Sequence, residues 1–321
     1  MLDFMLSISL TSLGRKHMKK SIQIALGTAV SAALLLASTP AFAAPRSLPA
    51  GEGLYAFGCD DGTEPAVGLV DVATGAVTEI VPGVAGQCYS SPAYNPVDGK
   101  IYVIDFGVGH DLKVFDPQAK TLTVIDAFDC EPYTLSIDAS GNAWVWDYAD
   151  FTLKPVSLEN AMCGAPIGVV GGEGDDFYGM AFAPNGTLYA VIWDDGQIGT
   201  VSTSIAGFTQ VGSSAMVAET NAGLTFDSSG IAWVLDEGPA GTSAEVFSAD
   251  INDYAGTAQR SGQLTFNGVA YYSEAIVVGP ADSPKLPDTG SASVALGVTG
   301  LAAAGVIALG AVMMILRRRA S

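Results

Sequence analysis

A unit of roughly 44 residues recurs along this chain, and no other feature restricts its fold as much. Four stretches align: SSPAYNPVDGKIYVIDF (90–106), YTLSIDASGNAWVWDY (133–148), YGMAFAPNGTLYAVIWDD (178–195) and AGLTFDSSGIAWVLDE (222–237). Each reads as an apolar strand, a tight polar turn ending in Gly, then a second strand rich in aromatic and β-branched residues. The turn glycines Gly99, Gly141, Gly186 and Gly230 are spaced by 42, 45 and 44 residues. Partial copies flank the four. GEGLYAFGCDD puts Gly53 in the turn slot, and FNGVAYYSEAIVVG (266–279) puts Ser273 there.

Further strand signals follow each unit. Residues 67–81, 111–125 and 197–211 each read as two strands around a turn, so a unit holds about four short antiparallel strands. Four strands every 40 to 50 residues predict an all-β chain, a β-propeller over residues 51–280. Dividing that span by about 45 gives five blades, and the second strand of the C-terminal copy leaves a cramped sixth open. The first unit lacks its inner strand and the last segment supplies one, which closes the ring and removes the open edges. The repeats, YNPVDGKIYVID most of all, resemble YVTN-type and NHL-type propeller repeats. That resemblance implies fold more than function.

The second strands end in acids: Asp60 and Asp61, Asp105, Asp147, Asp194 and Asp195, Asp236 and Glu237. At equivalent positions these would form a ring on one face around the axis. A carboxylate ring suits a hard cation such as Ca²⁺, or a cationic or polyhydroxyl ligand. The alternative is that each Asp opens the following turn by accepting backbone N–H bonds. Tyr102, Trp144, Trp146, Tyr189, Trp193 and Trp233 recur beside the acids. The alternation assigns most of them to packing between blades, with Trp146 and Trp193 placed to stack on a sugar ring.

Both termini carry addresses. Met18 to Ala43 has a basic start, an apolar middle and a small-residue Ala41-Phe42-Ala43 site, which reads as a secretory signal peptide cleaved between Ala43 and Ala44. Residues 1–17 read as an extension ahead of the true start. At the other end, Val294 to Leu316 is a run of 23 uncharged residues, enough to cross a bilayer core as a helix, and Arg317, Arg318 and Arg319 follow it. A short Pro-rich spacer (281–290) precedes that helix (291–316) and basic tail (317–321), and it contains Leu286-Pro287-Asp288-Thr289-Gly290. Motif, helix and tail together resemble the cell-wall sorting signal of Gram-positive LPxTG surface proteins. The resemblance implies that a sortase cysteine attacks the Thr289 carbonyl, Gly290 leaves with the tail, and a peptidoglycan precursor takes the acyl group. The membrane helix would then hold the chain only until sorting.

The segment between the two addresses holds 32 acids and seven Lys plus Arg, a net charge of −25. Such a surface repels nucleic acid and anionic lipid head groups. Cys59, Cys88, Cys130 and Cys163 all lie in it. An even count outside the cell predicts two disulfides in one of three pairings, and 59–88 with 130–163 is preferred because both close short loops. His110 is the single histidine of the segment, and no CxxC, GxSxG or HExxH is present. Neither a zinc centre nor a nucleophilic triad is readable. The sequence therefore points to a wall-anchored surface protein, without a dedicated cofactor, that binds a protein or glycan. The alternatives are a propeller enzyme acting on carbohydrate and a wall-resident scaffold.

Overall fold

The computed structural model describes residues 46–281, apart from 61, 108, 172–176, 193–196, 212–220, 237–243 and 272. Signal peptide, sorting motif and apolar C-terminal run lie outside the described residues. Among the described residues, no helix is long and apolar enough to cross a membrane.

The strands form five antiparallel four-stranded blades, the first two joined into one eight-stranded sheet by a short pairing of one strand from each. Blade 1 is β1 (Glu52–Asp60), β2 (Pro65–Val70) and β3 (Val77–Pro82), completed by the last strand, β22 (Ser273–Pro280). Blade 2 is β4 (Gln87–Asn95), β5 (Lys100–Asp105), β6 (Asp111–Asp116) and β7 (Thr121–Ala127). Blade 3 is β8 (Pro132–Ile137), β9 (Ala143–Asp147), β10 (Thr152–Val156) and β11 (Gly168–Val169). Blade 4 is β12 (Phe177–Phe182), β13 (Leu188–Ile192), β14 (Ile198–Val201) and β15 (Phe208–Gln210). Blade 5 is β16 (Asn221–Phe226), β17 (Ile231–Asp236), β18 (Glu245–Asp250) and β19 (Gln259–Gln263). A two-stranded hairpin, β20 (Thr265–Phe266) with β21 (Val269–Ala270), precedes β22 and forms no sixth blade.

The inner strand of blade 1 is thus the C-terminal one, paired from Glu52↔Pro280 to Gly58↔Ser273. Two turn slots read from the sequence are corrected. Ser273 opens β22, and Gly53 lies inside β1, because the two strands that meet there are not consecutive in the chain.

Burial follows from this arrangement. Middle strands are covered on both sides by neighbouring blades, so Leu188–Ile192 is buried at every position. Outer strands face water, and β7 has no buried residue. Five apolar clusters fill the seams between successive blades. Trp146 and Trp233 are fully buried in two of them, as are Tyr55 and Phe57 in a third. Burying each such side chain contributes about 1.5–3 kcal/mol.

The recurrent turn has a local cause. In blade 3 the Asp138 carboxylate accepts from Ser140 N at 2.8 Å and Asn142 N at 2.9 Å, and Gly141 N donates to Asp138 O at 3.0 Å. Gly141 holds φ 81°, a region that glycine adopts without strain. Asp227 and Gly230 build the same turn in blade 5.

Both disulfides have the expected pairing, Cys59–Cys88 and Cys130–Cys163. Cys59 and Cys88 face each other across a short β1–β4 ladder that ties blade 1 to blade 2. Loops of this length contribute about 3.5 kcal/mol each in the chain-entropy account. Two disulfides fit an extracellular or periplasmic protein.

Candidate functional site

The ring has two faces. The turn face carries the tight turns between first and second strands of blades 2 to 5, and in blade 1 the start of β1 and the end of β22. On the opposite, strand-start face the inner strands begin and the second strands end, so the acids of the sequence reading belong there.

Strand register corrects the idea of five equivalent acids. Asp147 pairs Pro132 and Asp236 pairs Asn221, each at the start of an inner strand. The same slot holds Asp105 in blade 2, but Gly58 in blade 1 and Ile192 in blade 4. Asp60 runs past the slot to pair Gln87 of β4. Asp61, Asp194, Asp195 and Glu237 lie outside the described residues, as does Trp193. Matching each strand to its nearest acid slips the alignment by two residues in blades 1 and 4.

Two of the three register-equivalent acids meet lysines. Lys113 Nζ sits 2.6 Å from Asp105 Oδ2, and both side chains are buried. Asp105 Oδ1 also accepts from Cys88 N at 3.1 Å and Gly107 N at 2.9 Å. The lysine touches Tyr89 as well, with Nζ 3.4 Å from the hydroxyl and 4.9 Å from the ring centroid. Burial lowers the Lys113 ammonium, but hydrogen bonds and charge from Asp105 and Tyr89 outweigh it and the group is raised above its ordinary value. Blade 3 repeats the device: Lys154 Nζ lies 2.5 Å from Asp147 and 2.9 Å from Asp150. Each lysine stands two residues beyond the acid's cross-strand partner. Asp147 also caps its turn by accepting from Ala149 N at 2.9 Å. Asp105 and Asp147 therefore hold strand ends together instead of forming an open ligand ring. Asp236 is buried 8% exposed.

What this face offers instead is aromatic. Pairing in β8 skips Tyr133 between Pro132 and Thr134, and in β12 it skips Tyr178 between Phe177 and Gly179. The same bulge recurs at Ala222 and Glu274. A bulge re-aims the skipped side chain. The Tyr133 ring meets Phe106 of blade 2 at 5.3 Å, Tyr148 of its own blade at 5.7 Å and Tyr178 of blade 4 at 4.8 Å. A band of rings thus crosses three blades. Tyr148 is 46% exposed, while Phe106, Tyr133 and Tyr178 are half-buried. His110, at φ 57°, closes one end, its ring 5.1 Å from Phe106.

Trp146, which the sequence places against a sugar, is instead the floor of the band. It is fully buried and donates from Nε1 to Val170 O at 3.0 Å. Tyr102, Tyr189 and Trp233 are also buried, and Trp144 is half-buried against Phe182. The rings that form the band went unread in the sequence. Their signal was the aromatic just ahead of an inner strand, in PYTLS and FYGMA. Near the second disulfide, Asp129 Oδ1 accepts from Cys163 N at 2.7 Å; the two sulfurs there are bonded to each other and offer no thiolate to a metal.

No family model matches the chain, and no curated protein sequence matches it. Among solved structures it is similar to a chain of the nidogen/laminin complex, at 14% identity and TM-score 0.47, covering 73% of this chain and 100% of that one. It is similar to a structural genomics protein of unknown function from Bacteroides thetaiotaomicron, at 14% identity and TM-score 0.46, over 73% of this chain and 66% of that one. TolB from Acinetobacter baumannii is similar at 17% identity and TM-score 0.43, over 67% of this chain and 54% of that one. These likenesses are of fold only, and the five-bladed propeller stands on the strand pairing itself.

Proposed function

We propose that this chain is an exported surface protein, joined to the cell wall through Thr289, whose propeller binds a protein or glycan ligand on its strand-start face. The observation that carries the binding reading is the aromatic band of Phe106, Tyr133, Tyr148 and Tyr178. Partly exposed tyrosines offer large, rigid contact area to a sugar ring or a peptide side chain. An enzyme acting on carbohydrate would draw on the acids of the same face, and Lys113 and Lys154 already hold two of them. The direction of β22 supports the anchoring geometry. It runs from the strand-start face to the turn face and ends at Pro280, so a tether beginning there leaves the aromatic face open to the medium.

Two experiments test this reading. In a sortase-bearing Gram-positive host, wild-type protein is expected in the wall fraction, released by a wall hydrolase. Thr289→Ala protein is expected to stay with the membrane, and its release by the hydrolase in wild-type amounts would end the sortase reading. On an array of glycans and matrix proteins, Tyr148→Ala is expected to weaken the wild-type signal by roughly ten-fold while leaving the melting temperature unchanged. A blank array, or a signal indifferent to Tyr148, would count against the binding face.

A further inference from the structure

On the turn face the ends of all five inner strands enclose a cavity of about 390 Å³, a size that admits a small organic molecule. Much of its wall is apolar, with Ile137, Met180, Leu224 and Val278 among the lining side chains. Its charge is of one sign. Glu52, Asp138 and Asp227 line it, and among the described residues no lysine, arginine or histidine does.

These carboxylates are held in place. Asp227 is 2% exposed. Its Oδ1 accepts from Ser229 N, Ser229 Oγ and Ile231 N at 2.9, 2.6 and 3.0 Å, and its Oδ2 accepts from the Trp233 indole at 3.1 Å. All these donors are neutral, and among the described residues Asp227 forms no ion pair. Glu52 is fixed by Ser228 N at 3.2 Å, and Asp138 by its own turn. One more polar group is unsettled: Ser136, a lining residue 1% exposed, has a hydroxyl with no partner among the described residues. Contrast Asp105 and Asp147 at the other face, where lysines supply the countercharge. Four neutral donors satisfy the Asp227 oxygens but bring no countercharge, and an electronegative, apolar-walled cavity favours a cation that enters it.

We propose that this cavity binds a small organic cation with an apolar body, of the arylalkyl- or alkylammonium class. The ammonium lies toward Glu52, Asp138 and Asp227, and the apolar body lies against Ile137, Met180 and Leu224. This site is separate from the aromatic band, on the opposite face, and does not depend on wall anchoring.

The test uses the full-length chain in detergent, with phenylethylammonium as probe and uncharged phenylethanol as control, titrated by calorimetry. Saturable binding of the cation is expected at millimolar concentration or tighter, with the neutral alcohol at least roughly ten-fold weaker. Ala139 is an exposed turn residue that lines the cavity, so Ala139→Trp narrows access without touching the core and is expected to abolish binding. Glu52→Gln is expected to weaken it several-fold, and Tyr148→Ala to leave it unchanged. No saturable binding, equal affinity for the cation and the alcohol, or full binding by Ala139→Trp would each overturn the proposal.

Discussion

A chain ending at Tyr271, which lacks β22, is expected to lose cooperative folding altogether. The deleted strand supplies the inner edge of blade 1, and Ala275, Ile276, Val277 and Val278 are all at most 6% exposed. Three of these aliphatic side chains are worth about 1.5–3 kcal/mol each. Their sum, about 5–9 kcal/mol, is comparable to the whole stability of a typical domain, about 5–15 kcal/mol. Polar contacts go with them: Tyr55 donates to Pro280 O at 2.6 Å, Ser273 to Phe57 O at 2.9 Å, and Val278 N to Thr225 Oγ1 at 3.1 Å. The last of these joins blade 1 to blade 5, so its loss opens the ring. The edge of β1 is then exposed, and so is the apolar face of blade 5 that packed on β22. Thermal unfolding followed by circular dichroism should show no sigmoidal transition, and gel filtration should show aggregate. A cooperative transition within a few degrees of wild type would mean that the blades are stable without closure. Ile276→Asp tests the same seam at one position, and its direction should match.

Replacing Lys113 by Met is expected to cost about 3–5 kcal/mol, because it leaves Asp105 charged and buried. For a domain of this size that corresponds to a fall in melting temperature of roughly 6–20 °C. Adding Asp105→Asn to Lys113→Met should recover part of the loss, since the buried charge goes while one carbonyl oxygen still accepts from Cys88 N and Gly107 N. The pH dependence has a definite sign. Lys113 is raised above its ordinary value of 10.5, so its contribution is complete below 10.5 and is lost as pH climbs through the higher folded value. Wild type and Lys113→Met should therefore differ by a constant amount from neutral pH to about 10, and converge in strong alkali. A single mutant as stable as wild type would show that this pair is not what holds the β5 and β6 ends. Asp150 gives the opposite test. Burial is the largest single influence and raises it, but hydrogen bonds from Thr152 and Lys154 and the Lys154 charge together outweigh it and lower it overall, so its share is lost as pH falls through its depressed value.

The architecture was legible in the sequence because blades 2 to 5 repeat one local instruction. A turn of four or five residues ends in Gly, is opened by Asn95, Asp138 or Asp227 in three of the four, and closes its hydrogen bonds within five residues, as at Asp138–Asn142. Alternation before and after that turn then sets two strands. The two disulfide pairings were legible for a related reason, since each joins cysteines about 30 residues apart on neighbouring strands or loops. The acids were read less well. An Asp at a strand end looks the same whether it faces solvent, caps a turn or meets a lysine from the next strand. Only the pairing Asp105↔Asp111 and Thr152↔Asp147 brings Lys113 and Lys154 onto those carboxylates.

By itself, then, the sequence determined the repeat, the tight glycine turns, a count of five blades with a sixth left open, and the closure of the ring, all of which depend on residues near one another or on simple periodicity; the pairing of β20 with β21 alone excluded the sixth blade. Tertiary structure alone decided which side chains share a face. Tyr133 and Tyr178 lie 45 residues apart in the chain, and bulges in two different blades turn their rings to within 4.8 Å. Glu52, Asp138 and Asp227 meet around one cavity because five inner strands end on the same side of the ring. Such convergence is set by blade-to-blade packing over long sequence separations, and a strand read one at a time carries no record of it.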